Sequence, residues 1–223
     1  MDLEGHRRIT ARAMELLSER LGAARMSSVR SQLFSPASNA DEGGMASREL
    51  GPPDFAVQRD ILDVITLGHW RDRGQRHHFM RTRAQTNRQA YDAACGWIER
   101  NATSFARAVS RGHGKDHLQA LGNALHAAQD SFSASHVTRE LLAPERPGHI
   151  VDIDVYAEQD HTHHAAADVA WLQMPWLLDL AALASATLVE LVIDEAGQQG
   201  RGLDGLRGFP AYREQWLRAS PTL

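Results

Sequence analysis

Apolar residues recur at helical spacing in segment after segment of this 223-residue chain, and no stretch of useful length alternates in the manner of a strand. Ile9, Ala13, Leu16, Leu17 and Leu21 share one face, so His6 to about Ala24 reads as an amphipathic helix. Residues 84–110 place Ala90, Ala94, Trp97, Ile98, Phe105 and Val109 on one side, and residues 115–132 do the same with Leu118, Leu121 and Leu125. Phe55 to Gly68 can be helical as well. A further helical pattern runs from about His163 to Ala196, with Pro175 expected to kink or divide it, and a short one covers Ala211 to Arg218. Trp176 to Ile193 is the longest apolar stretch, but Asp179 and Glu190 interrupt it, which favours a buried helix over a membrane span. Residues 35–54, rich in Ser, Gly, Pro and acids, read as a surface loop, and long loops in compact domains are often functional. Pro144, Pro147 and Gly148 break the chain again. The fold class expected is all-α, a multi-helix bundle forming one domain over residues 1–223.

Composition narrows the function classes. At 43% hydrophobic residues the chain can bury a core without disulfides. Its single cysteine, Cys95, excludes both a disulfide framework and the cysteine-rich class of zinc site. A formal charge of -4 gives no global basic field for a long double-stranded nucleic acid. Residues 1–30 hold no apolar core of a secretory signal, so the location expected is cytoplasmic if Met1 is the encoded start and secreted after processing otherwise. The unusual number is 12 histidines, since imidazole is the commonest metal ligand.

Residues four apart on a helix share a face, so His-x-x-x-Asp can present an imidazole and a carboxylate to one ion. The chain has two such pairs, His126 with Asp130 and His164 with Asp168, where chance alone would give about one. Plainer readings stand beside each. His126 could be a core-edge histidine bonded to a carbonyl with Asp130 a surface acid or cap, and His77-His78 a solvated pair. His161, His163 and His164 could be the polar start of a helix capped by Asp160.

The segment Leu121-Gly-Asn-Ala-Leu125-His126-Ala-Ala-Gln-Asp130-Ser-Phe-Ser-Ala-Ser-His136 resembles the central helix of the zinc-dependent phospholipase C and single-strand-specific nuclease family, Leu-Gly-x-x-x-His-x-x-x-Asp-x-x-x-x-x-His. The proline that members usually carry shortly before the last histidine is replaced by the Ala134-Ser135 region. The likeness extends outward in order: Gly5-His6 near the start, Pro53-Asp54 in the loop, His78-Phe79, and the later pair His164 and Asp168. Together these blocks span about three quarters of the chain.

The resemblance implies an all-α fold of that family and two to three zinc ions. Asp54, His78, His126 and Asp130 would bind one; His136, His164 and Asp168 a second; and Asp130, bridging, a third together with His6 and the backbone of the N-terminal residue. That residue is Met1 where relatives have tryptophan, and because initiator methionine is generally retained before a large residue such as Asp2, a Met1 amine could still serve. Asp60 and Asp63 compete with Asp54 for the loop carboxylate, and His69-Trp70 with His78-Phe79.

The activity implied is that of a phosphodiester hydrolase in which a metal-bridging hydroxide attacks phosphorus in line, with Asp54 able to orient or deprotonate the water. Phospholipid or a small phosphoester is the substrate class implied, and Gly51-Pro-Pro with Phe55 are candidate lipid contacts. A single-strand nuclease or nucleotidase, and a metal-dependent enzyme of small metabolites, are alternatives, as is a non-catalytic helical module whose histidines are structural or sense pH. For a base-stacking pocket the aromatics at hand are Phe55, Trp70, Phe79, Phe132, Trp171 and Trp176, and the run Arg71, Arg73, Arg76, Arg81 and Arg83 could hold a phosphate; core packing and a solvated face are the plainer readings. The oligomeric state has no signal in the sequence.

Overall fold

The computed structural model describes residues 2–33, 72–159, 161–198 and 203–223. The loop expected at 35–54 and the helix expected over Phe55 to Gly68 lie outside these residues. Most of the described residues are helical, and among them the only sheet has two strands.

Helix α1 (Leu3–Leu33) begins where Asp2 caps it, its carboxylate accepting from the Gly5 amide at 2.8 Å. Ile9, Ala13 and Leu17 form its buried stripe, and the helix breaks direction at Gly22, whose φ of 72° few other residues adopt. Helix α2 (Asn87–Ser110) starts three residues later than the periodicity suggests because Thr86 and Gln89 form a reciprocal capping box. A 3₁₀ turn, Gly114–His117, leads into α3 (Leu118–Asp130), whose Leu121, Ala124, Leu125, Ala127 and Ala128 are buried. This helix packs on α1, on α2 and on the later α5.

Two strands follow, β1 (Val137–Glu140) and β2 (His149–Ile153), paired antiparallel with a register irregularity at Thr138/Arg139. They depart from the expectation of no strands. At four and five residues, each is too short for alternation to register in the sequence. The Pro144 to Gly148 break is the loop of this hairpin. Gly148 is required there: its φ is 66°, and a Cβ would sit 2.3 Å from the Glu140 carbonyl. The C-terminal tail docks on β2 through Ile150 N to Arg218 O and Ser220 N to Ile150 O, both 2.8 Å.

Helix α4 (His161–Asp168) and the 3₁₀ turn Ala170–Leu172 precede α5 (Pro175–Gly197). Pro175 divides the helical pattern rather than kinking it, because as a first-turn residue it lacks only an amide that has no intrahelical partner there. Helix α5 is long and apolar enough to cross a bilayer, yet its Leu177, Leu180, Ala181, Ala184, Leu188 and Val192 are buried in the core. Helix α6 (Phe209–Trp216) closes the described chain. One hydrophobic cluster draws on α1, α2, α3, α5, α6 and the hairpin, and each fully buried Leu or Ile in it contributes about 1.5–3 kcal/mol.

Candidate metal centre

The polar residues that this core buries are concentrated at the Asp130 end of α3. Asp130 is the last residue of the helix, fully buried, and His126 lies one turn earlier on the same face. From α1, His6 brings Nε2 to 3.2 Å from Asp130 Oδ1. His78 ends the 3₁₀ helix Asp72–His78, and its Nδ1 lies 3.2 Å from Asp130 Oδ2. The next residue, Phe79, takes a left-handed φ of 53°, held by complete burial and a T-shaped contact with Tyr91; Met80 N closes the turn on Gln75 O at 2.9 Å. A non-glycine residue in that conformation costs on the order of 1 kcal/mol, and here it turns His78 inward.

After Asp130 the chain makes a tight turn, with Ser133 N bonded to Asp130 O at 2.9 Å and His136 N to Ser133 O at 3.0 Å. His136 thereby sits between two carboxylates, Nδ1 at 3.5 Å from Asp130 Oδ2 and Nε2 at 3.8 Å from Asp168 Oδ1. On α4, His164 Nε2 is 3.3 Å from Asp168 Oδ2, and its ring stacks on His136 at 5.4 Å. Two sets of donors result, His6 with His126 and Asp130, and His136 with His164 and Asp168; within each, the ligand atoms lie within 4.8 Å of one another.

The donors cannot satisfy one another. His126 Nε2, His78 Nδ1 and Asp130 Oδ2 form a triangle with sides of 3.0, 3.0 and 3.2 Å. Two protonated nitrogens would oppose each other across one side, and with a single proton one nitrogen lone pair faces the carboxylate oxygen. A cation among the three removes the conflict. Among the described residues, His126 Nδ1, on the other edge of its ring, is buried with no hydrogen-bond partner.

Electrostatics favours the protonation states that a metal requires. Burial pushes the His78 imidazole down to about 4 and lowers His126 and His136 too, so all three are neutral at physiological pH. Burial alone would raise the Asp130 carboxyl, but the surrounding imidazoles, His136 foremost, hold it well below the usual carboxylate range. Imidazole nitrogen and carboxylate oxygen without thiolate are donors that suit zinc.

His6, His78, His126, Asp130, His136, His164 and Asp168 are thus brought together. Met1, Asp54, Asp60, Asp63 and His69 lie outside the described residues, as do Phe55, Trp70, Arg71 and Asp160. His77 and His78 are not a solvated pair: His77 turns away from the centre to stack on Trp97 at 4.0 Å. Of the candidate aromatics, Phe79, Phe132 and Trp171 are buried and Trp176 packs against the core. Three arginines of the run, Arg76, Arg81 and Arg83, are engaged elsewhere. Arg76 lies over Trp97, Arg81 Nε donates to Ile153 O at 2.7 Å, and Arg83 pairs with Glu158 at 3.3 Å.

Four residues that the sequence did not single out buttress the candidate ligands. Gln129 Oε1 lies 2.7 Å from His6 Nδ1, Ser133 and Ser135 donate to Asp168 Oδ1, and Gln159 Oε1 meets His164 Nδ1. Gln129 carried a signal, as the one uncharged polar side chain between His126 and Asp130 in an otherwise alanine-lined turn; the other three did not. A surface cleft of about 530 Å³ between α2, α6 and the C-terminus, lined by Arg88, Tyr91, Phe209 and Arg213 among others, shares no residue with the cluster. No protein-family model, curated protein or solved structure matches the chain.

Proposed function

We propose that this chain is a zinc-dependent phosphoric ester hydrolase with the helical fold of the phospholipase C and single-strand nuclease type. One observation carries the reading: five buried or nearly buried histidines converge on two carboxylates, in two donor sets, with His136 lying between the carboxylates. His6, His78, His126 and Asp130 would hold metal on one side, and His136, His164 and Asp168 on the other. Zinc bound there would supply Lewis acidity toward a phosphoryl oxygen and lower the pKa of a coordinated water, which is the chemistry that ester hydrolysis needs.

The protein's own groups prepare that chemistry. Asp130 divides its oxygens, Oδ1 toward His6 and Oδ2 toward His78, His126 and His136, so one carboxylate serves neighbouring positions. Ser133 and Ser135 occupy Asp168 Oδ1 and leave Oδ2 facing His164. Side-chain exposure is 1% at His6, His78 and Asp130, 10% at His126 and His164, and 17% at Asp168, so the α4 carboxylate is the most open of these groups and substrate would approach on its side.

A phospholipid or other small phosphodiester is favoured over a long nucleic acid because the chain is acidic and Arg76, Arg81 and Arg83 beside His78 already have partners. The test is elemental analysis of the purified protein with hydrolysis assays on short-chain phosphatidylcholine and a single-stranded oligonucleotide, each with and without chelator. Roughly two to three zinc ions per chain and chelator-sensitive cleavage of the lipid are expected. Less than about one metal per chain overturns the reading, and cleavage of the oligonucleotide alone assigns the nuclease branch.

A further inference from the structure

We propose that two neutral amides, Gln129 and Gln159, are positioning residues of this centre, one for each donor set, and that each fixes the tautomer of the histidine it touches. The inference rests on the metal-binding reading above and adds to it how the ligands are oriented.

The direction of each amide follows from its other contacts. Gln129 is buried, and its far end meets Thr10 Oγ1 and Ser185 Oγ, both at 3.2 Å. The Ser185 hydroxyl spends its proton on the Ala181 carbonyl at 2.8 Å, so toward Gln129 it can only accept. The atom facing Ser185 is therefore the amide NH₂, and the oxygen faces His6. Gln159 is fixed more simply: its far end lies 2.5 Å from the Ser135 carbonyl, which has no proton to give, so its NH₂ is there and its oxygen is at His164.

An amide oxygen only accepts, which makes Nδ1 the protonated nitrogen in both His6 and His164. Nε2 is then the atom with the free electron pair, and it points at a carboxylate oxygen in each case, 3.2 Å away for His6 and 3.3 Å for His164. The same device thus appears twice, on helices distant in the sequence, and each time it turns the ligating nitrogen toward the shared ion position. Outer partners of this kind raise metal affinity by holding the ring and its tautomer. Being amides and not carboxylates, they add no negative charge to the site.

The two glutamines differ in what they tolerate. Glutamate at 129 would place its second oxygen against two hydroxyls, and Thr10 can donate to it. At 159 the second oxygen would meet the Ser135 carbonyl, acceptor against acceptor.

The experiment uses the full-length chain with zinc as the probe. Long-range proton–nitrogen correlation spectra of the metal-free protein at neutral pH should show Nδ1 protonated in His6 and His164. Zinc titration should show Gln129→Leu and Gln159→Leu each weakening one class of site about 10- to 100-fold. Gln129→Glu should restore affinity, whereas Gln159→Glu should not. Gln159 is only partly buried, so its variants report even if those at 129 fail to fold. Unprotonated Nδ1 atoms, or leucine variants that bind zinc as the parent does, overturn the assignment of the glutamines while leaving the metal reading in place. A parent protein that binds no zinc overturns the metal reading, whatever the tautomers.

Discussion

Arg139 ties the turn behind Asp130 to the rest of the molecule, and replacing it measures how much that tie is worth. Its Nε donates to Ser131 O at 2.8 Å, Nη1 to Pro147 O at 2.7 Å, and Nη2 to Ser131 Oγ at 3.0 Å and Trp216 O at 3.1 Å, with the guanidinium over the Phe132 ring. One side chain thus joins the end of α3, the hairpin loop and the end of α6. Hydrogen bonds from a charged donor contribute roughly 1.5–3 kcal/mol each, or about 6–12 kcal/mol gross for four. Desolvation, which pulls the guanidinium down to about 10, offsets more than half of that, and the partly buried site lets water reach some of the carbonyls in a variant. The net cost of Arg139→Met is therefore about 3 kcal/mol, or roughly 6–12 °C in Tm for a chain of this size. Urea titration and calorimetry of the metal-free protein read it directly. Arg139→Lys should recover less than half, since an ammonium cannot fork across three carbonyls. A methionine variant within about 1 kcal/mol of the parent, or full recovery by lysine, refutes the reasoning.

Acid should weaken the fold through its buried histidines. Burial holds His78 and His77 at about 4 against 6.5 in the unfolded chain, so the unfolded state takes up protons first. Stability is then fully present above pH 6.5 and declines as pH falls toward 4; urea midpoints that stay level or rise over that interval contradict it. Asp130→Asn should remove zinc from the His6, His78 and His126 side and leave the His136–His164–Asp168 set, whereas Asp168→Asn should do the reverse, and elemental analysis counts what each variant retains. Zinc at about 100 times its Kd should add about 2.7 kcal/mol to stability, so a chelator should lower Tm by roughly 5–11 °C; an unchanged melting temperature means that metal and fold are not coupled.

The sequence made the centre legible where regular geometry carries the ligands. Helix α3 puts His126 and Asp130 on one face because four residues make about one turn, and α4 does the same for His164 and Asp168. His136 is different. It reaches Asp168 only through the turn that Ser131 to Ser135 make, and no periodicity describes such a turn. The tandem His77-His78 misleads for a related reason: in a 3₁₀ helix adjacent side chains diverge by about 120°, so one enters the centre and the other stacks on Trp97. The hairpin and the amide of Gln159 left no trace because their roles depend on partners far along the chain or on backbone atoms. Pro175, by contrast, announced its helix boundary, since its missing amide limits where it can stand.

Charge then links the site to the substrate class. Among the described residues, the cluster holds two carboxylates and five histidines, and burial keeps His78, His126 and His136 neutral. Under the proposed function, two divalent ions would more than balance the two carboxylates and leave the centre positive by about two charges inside a chain whose formal charge is -4. A phosphoester would then be drawn by the ions themselves, and the chain has no need of free arginines at the mouth. Arg76, Arg81 and Arg83 are accordingly available for architecture, and the structure uses them there: over Trp97, on the Ile153 carbonyl, and against Glu158. The negative charge elsewhere on the surface would repel a polyanion at long range while leaving a single phosphodiester, screened beyond about 8–10 Å, free to approach the α4 side. Under that reading, an acidic chain with a positive centre would select against long nucleic acids and for small or interfacial phosphoesters by the same distribution of charge.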